Sequence, residues 1–150
     1  MTDINGALPA RLQQIVAEFQ MAEGREKLEL LLEYAESLPA LPEWLKDRRD
    51  SMEPVPECMT PVFVYAERQN GRLRWHFDVP PESPTVRGYA ALMAEGLNDA
   101  SPEEVLSVPG DFFYAMGLQQ VISPQRLNGL SAILAHMKRL ATEALQAAAA

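Results

Sequence analysis

The chain has 150 residues, 47% hydrophobic and 23% charged, which is the profile of an ordinary globular domain able to bury a core without disulfides or a structural metal, so one domain over 1–150 is expected. Thirteen Lys and Arg against 21 Asp and Glu leave a net charge of −8, which argues against a nucleic-acid partner, because general affinity for nucleic acid comes from cations that displace counterions along the phosphate backbone. The longest uncharged stretch, Phe112 to Gln125, contains Gly117, Gln119, Gln120 and Pro124 and falls short of the ~20 apolar residues of a membrane span.

Met1 to Ala10 carries Asp3 and no apolar run before Arg11, unlike a secretion signal. With the single cysteine, Cys58, this points to a reducing cytoplasmic compartment. Leu8, Leu12, Ile15, Val16 and Phe19 repeat at helical spacing and predict an amphipathic helix, with Pro9 in its first turn. A second helix is expected from about Gly24 to Leu38, with Leu28, Leu31, Leu32, Tyr34, Ala35 and Leu38 on the core stripe and Glu26, Glu29, Glu33 and Glu36 on the wet side. Pro39 and Pro42 stop it, and residues 39 to 60, which contain Pro54 and Pro56 as well, read as a long irregular connection.

Pro61 to Val79 predicts a β-hairpin, since two apolar-rich runs flank Asn70-Gly71, a pair suited to the positive φ angles of a type I′ turn. The turn sets the register. Gln69 faces Arg72, followed by Glu67–Arg74, Ala66–Trp75, Tyr65–His76, Val64–Phe77, Phe63–Asp78 and Val62–Val79. Alternation then puts Val62, Val64, Ala66, Trp75, Phe77 and Val79 on the core face, and Phe63, Tyr65, Glu67, Arg74, His76 and Asp78 on a partly wet one.

Ser83-Pro84 is read as N-cap and first residue of a helix to about Asn98, and Ser101 with Glu104 as a capping box for the next. Ser123-Pro124 opens the last helix, whose stripe is Leu127, Leu130, Ile133, Leu134, Met137, Leu140, Ala141 and Leu145, before an alanine tail that frays. The order helix, helix, connection, hairpin, helices predicts an α+β fold, a small antiparallel sheet built on the 61–79 hairpin and covered by helices.

Cys58 is the side chain with intrinsic nucleophilic power, and Pro56 and Pro61 around it favour a stiff loop just before the first strand. Neither histidine suits the role of its base. His76 is fixed opposite Tyr65 in the hairpin, and His136 lies about 125° from the centre of the last helix's apolar stripe at 100° per residue, which places it towards solvent. One Cys and two separated His do not make a zinc site, and no phosphate-binding glycine loop is present. A nucleophile without a base, a cofactor or a metal suits a carrier better than a self-sufficient catalyst. Arg126, in the first turn of the last helix where the dipole disfavours a cation, and in line with Leu130, Ile133 and Met137, is either a functional residue or an Arg whose stem covers apolar surface.

Val55-Pro56-Glu57-Cys58-Met59-Thr60 before a strand, then Val86-Arg87-Gly88, Gly117-Leu118 and Ile122-Ser123-Pro124-Gln125-Arg126-Leu127-Asn128-Gly129-Leu130, resemble the SufE family over about residues 8 to 145. The resemblance implies a fold like that of the IscU/NifU scaffolds without their cluster ligands. It also implies a function, in which Cys58 accepts persulfide sulfur from a PLP-dependent cysteine desulfurase, stimulates that enzyme and passes the sulfur to an iron–sulfur scaffold. It implies no cofactor and no stand-alone activity for this chain. Arg126 and Asn128 match the helix-start motif near the partner-facing surface, with Glu57 and Thr60 flanking the thiol. The sequence departs from the family pattern at Glu57, Met59 and Thr60 and at Pro80-Pro81-Glu82, where an acidic run is eroded. Glu57 adds a negative charge that should raise the pKa of the thiol. The competing readings are an interaction adaptor for which Cys58 is incidental and, more remotely, a cysteine-dependent hydrolase. A homodimer is left open.

Overall fold

Leu12, Ile15, Val16 and Phe19 are buried on one face of helix α1, Ala10–Met21, as their spacing predicts. The helix begins later than expected: Pro9 is its N-cap and not part of its first turn, and buried Leu8 precedes it. The computed structural model describes residues 8–149; the reading of the first ten residues as lacking a secretion signal therefore falls mostly outside the described residues. Helix α2, Arg25–Glu36, departs from its expected stripe at two places. Leu32 is exposed, and Lys27 is buried instead, one turn before Leu31, with its ammonium donating to the Phe19 carbonyl. Gly117, at φ 75°, lets the chain cross over that lysine, since a Cβ there would sit 2.7 Å from Lys27 Cε.

The connection over residues 39–60 is more ordered than its prolines suggest. It contains the short helix α3, Glu43–Lys46, a 3₁₀ turn at Arg49–Ser51 and a two-residue strand β1, Glu53–Pro54. Strand β1 pairs antiparallel with β2, Phe63–Gln69, through Glu53 opposite Val64 and Pro54 opposite Phe63. The expected hairpin forms from β2 and β3, Arg72–Asp78, in the predicted register from Gln69–Arg72 to Phe63–Asp78. Asn70 and Gly71 both have positive φ, as the type I′ turn requires. The sheet order is β1-β2-β3. Val62, Val64, Trp75, Phe77 and Val79 are buried as expected, and Ala66 is half-buried.

Helix α4, Pro84–Leu97, packs on α1, α2 and β3. Between it and the last helix, Ser101 and Glu104 form the expected reciprocal capping box at the start of α5, Pro102–Leu106. Helix α6, Pro124–Ala149, packs on β2, α4 and α5, so the sheet carries its helices in the α+β manner. Ser83 is not the cap expected of it, because its side chain makes no capping hydrogen bond to α4. The alanine tail is helical as far as Ala149, beyond the last buried position at Ala144. No helix among the described residues is long and apolar enough to cross a membrane.

Candidate functional site

Because β1 precedes it, the cysteine loop is the connection of a second hairpin and not the lead-in to the first strand. Beyond the β1–β2 pairs, the Val55 N–H donates to the Val62 carbonyl at 2.9 Å, which closes the neck of a loop with Pro56 and Pro61 near its two ends. The Cys58 N–H turns back to the Val55 carbonyl at 3.2 Å, and Met59 beside it is 81% exposed. A short strand thus gives the proline-bounded loop a fixed base from which to present its thiol.

Cys58 is half-buried against the first turns of α6. Its Sγ–H donates to the Gly129 carbonyl at 3.5 Å, and a Cβ at position 129 would stand 3.2 Å from Sγ, so glycine is what lets the thiol lie this close to the helix. On the other side, the Ser83 hydroxyl donates to Thr60 Oγ1 at 2.9 Å, tying the start of α4 to the loop. Between the starts of α4 and α6 lies a cleft of about 460 Å³ whose walls include Glu57, Cys58, Thr60, Ser83, Arg126 and Gly129. Glu57, Cys58, Thr60 and Arg126 of the expected site residues therefore converge. Asn128 is exposed on α6 and does not line the cleft.

Arg126 is exposed at the cleft wall, and its guanidinium makes no ion pair among the described residues. Its backbone N–H donates to the Ser123 hydroxyl at 3.4 Å, so Ser123 caps the helix it opens. His76 stands opposite Tyr65 as the register requires. It is half-buried, with Nε2 2.8 Å from Glu67 Oε1 and Trp44 packed edge-on at 5.6 Å between ring centroids. His136 departs from expectation and does not face solvent: Nδ1 is 2.6 Å from Glu53 Oε2 and Nε2 is 3.0 Å from Glu57 Oε1. Helical angle places His136 away from the apolar stripe correctly, but that side of α6 is covered by β1 and the cysteine loop, and two-residue β1 has no periodicity to announce it.

Burial pushes the Cys58 pKa up to about 11, and the adjacent Glu57 carboxylate pushes in the same direction. Glu57 itself is held below the ordinary carboxylate range by its own backbone N–H and by His136. The resting group is therefore a thiol at neutral pH, and its hydrogen-bond partner is a carbonyl, not a base. Thiolate is the reactive form, so alkylation of Cys58 by iodoacetamide should still be accelerating above about pH 9 and reach half its limiting rate only near about pH 11. A half-maximal rate near the ordinary thiol value of about 8.5 in a timed labelling series would contradict this environment. Among the described residues no group of three or more His, Cys, Asp and Glu could hold a metal ion.

The SufE family model, described as an Fe-S metabolism associated domain, matches residues 13–141. A SufE-like protein of Mycobacterium tuberculosis is 46% identical over 139 residues, 92% of this chain and 96% of that one. The protein of Plasmodium vivax named cysteine desulfuration protein SufE is 26% identical over 146 residues, 93% of this chain and 56% of that one. Among solved structures, the solution structure of a hypothetical protein from Thermus thermophilus superposes with a TM-score of 0.82 at 38% identity, covering 93% of this chain and 98% of that one.

Proposed function

Because this chain belongs to the SufE family, a family of iron–sulfur metabolism, we propose that it is a persulfide carrier in which Cys58 takes sulfur from a cysteine desulfurase, stimulates that enzyme and delivers the sulfur to an iron–sulfur scaffold. The observation that carries the proposal is the chain's one cysteine, set on a hairpin loop at an open cleft with no base bonded to it. A carrier needs a thiol that another active site can reach and activate, and it needs little reactivity of its own before then.

In the transfer, a base in the desulfurase pocket removes the Cys58 proton. The thiolate then attacks the outer sulfur of the enzyme's cysteine persulfide. A sulfur–sulfur bond forms to Cys58 as the bond to the enzyme's cysteine breaks, and the departing thiolate takes up a proton. Sulfur at the sulfane level changes hands with no net oxidation, so no further reductant or oxidant enters the step. We assign the docking surface to the cleft rim, with Arg126 on α6, Glu57 and Thr60 on the loop and Met59 as an apolar contact at the tip, and to the exposed face of α6 beside the cleft, where Asn128 stands. The region 1–150 is taken to act as one SufE-like domain in a reducing cytoplasmic compartment, as an accessory and not a stand-alone enzyme.

The test is intact mass measurement after incubation with a cysteine desulfurase and L-cysteine. A gain of about 32 Da, for one sulfur atom, is expected on wild type, localised to the Cys58 peptide and removed by dithiothreitol. Absence of the adduct with a desulfurase from the same organism would overturn the proposal.

A further inference from the structure

We infer that His136 is a positioning residue for Cys58: its imidazolium joins Glu53 of β1 to Glu57 of the cysteine loop and so holds that loop back against α6. The purpose of such a latch rests on the carrier reading, whereas its existence is a matter of structure alone.

Donors and acceptors fix the charge state of the ring. An ionised carboxylate only accepts, and a neutral imidazole has one N–H, so it can serve one of two carboxylates; the imidazolium has two and serves both. His136 faces Glu53 through Nδ1 at 2.6 Å and Glu57 through Nε2 at 3.0 Å. The arrangement therefore fits the charged ring. The ring and the Glu53 side chain are 19% and 11% exposed, which shields this half of the bridge from solvent. Glu57, at 54% exposed, is the looser partner.

The other charges around the ring decide which bond gives way. Glu53 from β1 is also gripped by Arg139, one turn along α6, through both guanidinium nitrogens Nε and Nη2, and Arg139 in turn pairs with Glu143 at 2.8 Å. Glu57 from the loop has no cation other than His136 in these pairings, and the remaining titratable group on the loop is the Cys58 thiol next to it. When the ring loses its proton to solvent, the N–H that remains stays with the doubly held Glu53, and the Nε2 lone pair then faces the Glu57 carboxylate. Glu57 is released. The loop keeps its neck hydrogen bond, Val55 to Val62, the Ser83 to Thr60 tie on its far side and the weak contact of Sγ to Gly129, but it loses its ionic hold on the α6 side, and the thiol becomes easier to reach.

The test is the rate of Cys58 labelling by a maleimide from about pH 5.5 to about pH 8.5, spanning the imidazole range, in wild type and His136→Ala. At the acid end of that range the variant should label about fivefold faster, and the two rates should draw together as the pH rises. Direction is diagnostic. Removing a cation beside Glu57 by itself raises the thiol pKa and slows labelling, so a faster variant reports release of the loop and not a change in charge. A variant as slow as wild type or slower at the acid end overturns the inference. Should His136→Ala fold poorly, nitrogen–proton NMR of wild type decides: backbone amides of residues 57–60 should shift with the same midpoint as the His136 ring, and a ring that titrates while those amides stay still overturns it. Neither measurement involves a desulfurase, so failure of the latch and failure of the carrier reading are separately visible.

Discussion

Replacing Cys58 with serine should reduce the stimulation of a cysteine desulfurase to the level seen with no added protein, while leaving the fold intact. The reason lies in how little the thiol does for stability and how much the proposed transfer asks of it. In the fold, its polar contact is one hydrogen bond to Gly129 at 3.5 Å, from a weak S–H donor, and the loop is fixed by its neck, by Ser83 to Thr60 and by Glu57 to His136. Serine is smaller and can still donate, so a change in Tm of no more than about 3 °C is expected for a chain of this size. In the transfer, serine cannot become an anion at neutral pH or hold a sulfane sulfur, so the loss is complete and not graded. The measurement is the initial rate of sulfide release under reducing conditions with no protein, wild type and Cys58→Ser. Equal stimulation by both proteins would move the role to docking alone and favour an adaptor for which the cysteine is incidental.

The largest stability effect should come from Gly88→Ala. A Cβ at Gly88 would stand 2.1 Å from the Leu31 carbonyl oxygen and 3.0 Å from its carbon, so α4 lies against the backbone of α2 and no side chain can rotate to make room. Alanine favours a helix over glycine by about 1 kcal/mol, but here the two helices must part, and overpacking of this kind costs several times that where backbone is the obstacle. A net loss of about 3 kcal/mol is expected, or a fall in Tm of about 6–12 °C by calorimetry. Gly110→Ala is the matched control, since a Cβ there meets nothing within 4 Å and should move Tm by no more than about 2 °C. Equal behaviour of the two variants would show that α2 and α4 do not approach this closely. The effect reaches the site as well, because Arg87 next to Gly88 donates to the carbonyls of Ala35 at 3.2 Å and Val79 at 2.6 Å. The same helix thereby locks the end of α2 to the end of β3 and sets where Ser83 meets the cysteine loop.

The range of an interaction along the chain separates the features legible in the residues from those that are not. The stripe of α1, the boundaries of α4 and α6, the capping box at Ser101 and the register of β2 with β3 are readable because each depends on residues a few positions apart. Helical period, strand alternation and the φ > 0 pair Asn70-Gly71 act within one turn or one hairpin. The candidate nucleophile is equally legible, being the chain's one cysteine between two prolines. Leu32 and Lys27 exchange roles because burial on α2 is decided by which neighbours cover each position. The Phe19 carbonyl is there to accept the lysine's hydrogen bond.

Local order in the residues is thus enough for every α-helix except the short α3, for the hairpin and its pairing, and for the identity of the thiol. Only the folded chain makes residues 53 and 54 a strand, turns Ser83 to Thr60 and away from its own helix, stands Asn128 clear of the cleft and encloses His136. Separation along the chain is the cause: Cys58 meets Gly129 across 71 positions and His136 meets Glu53 across 83. Local periodicity states which face of a helix is polar, but whether that face meets water or a remote carboxylate is fixed only when the distant segment docks on it.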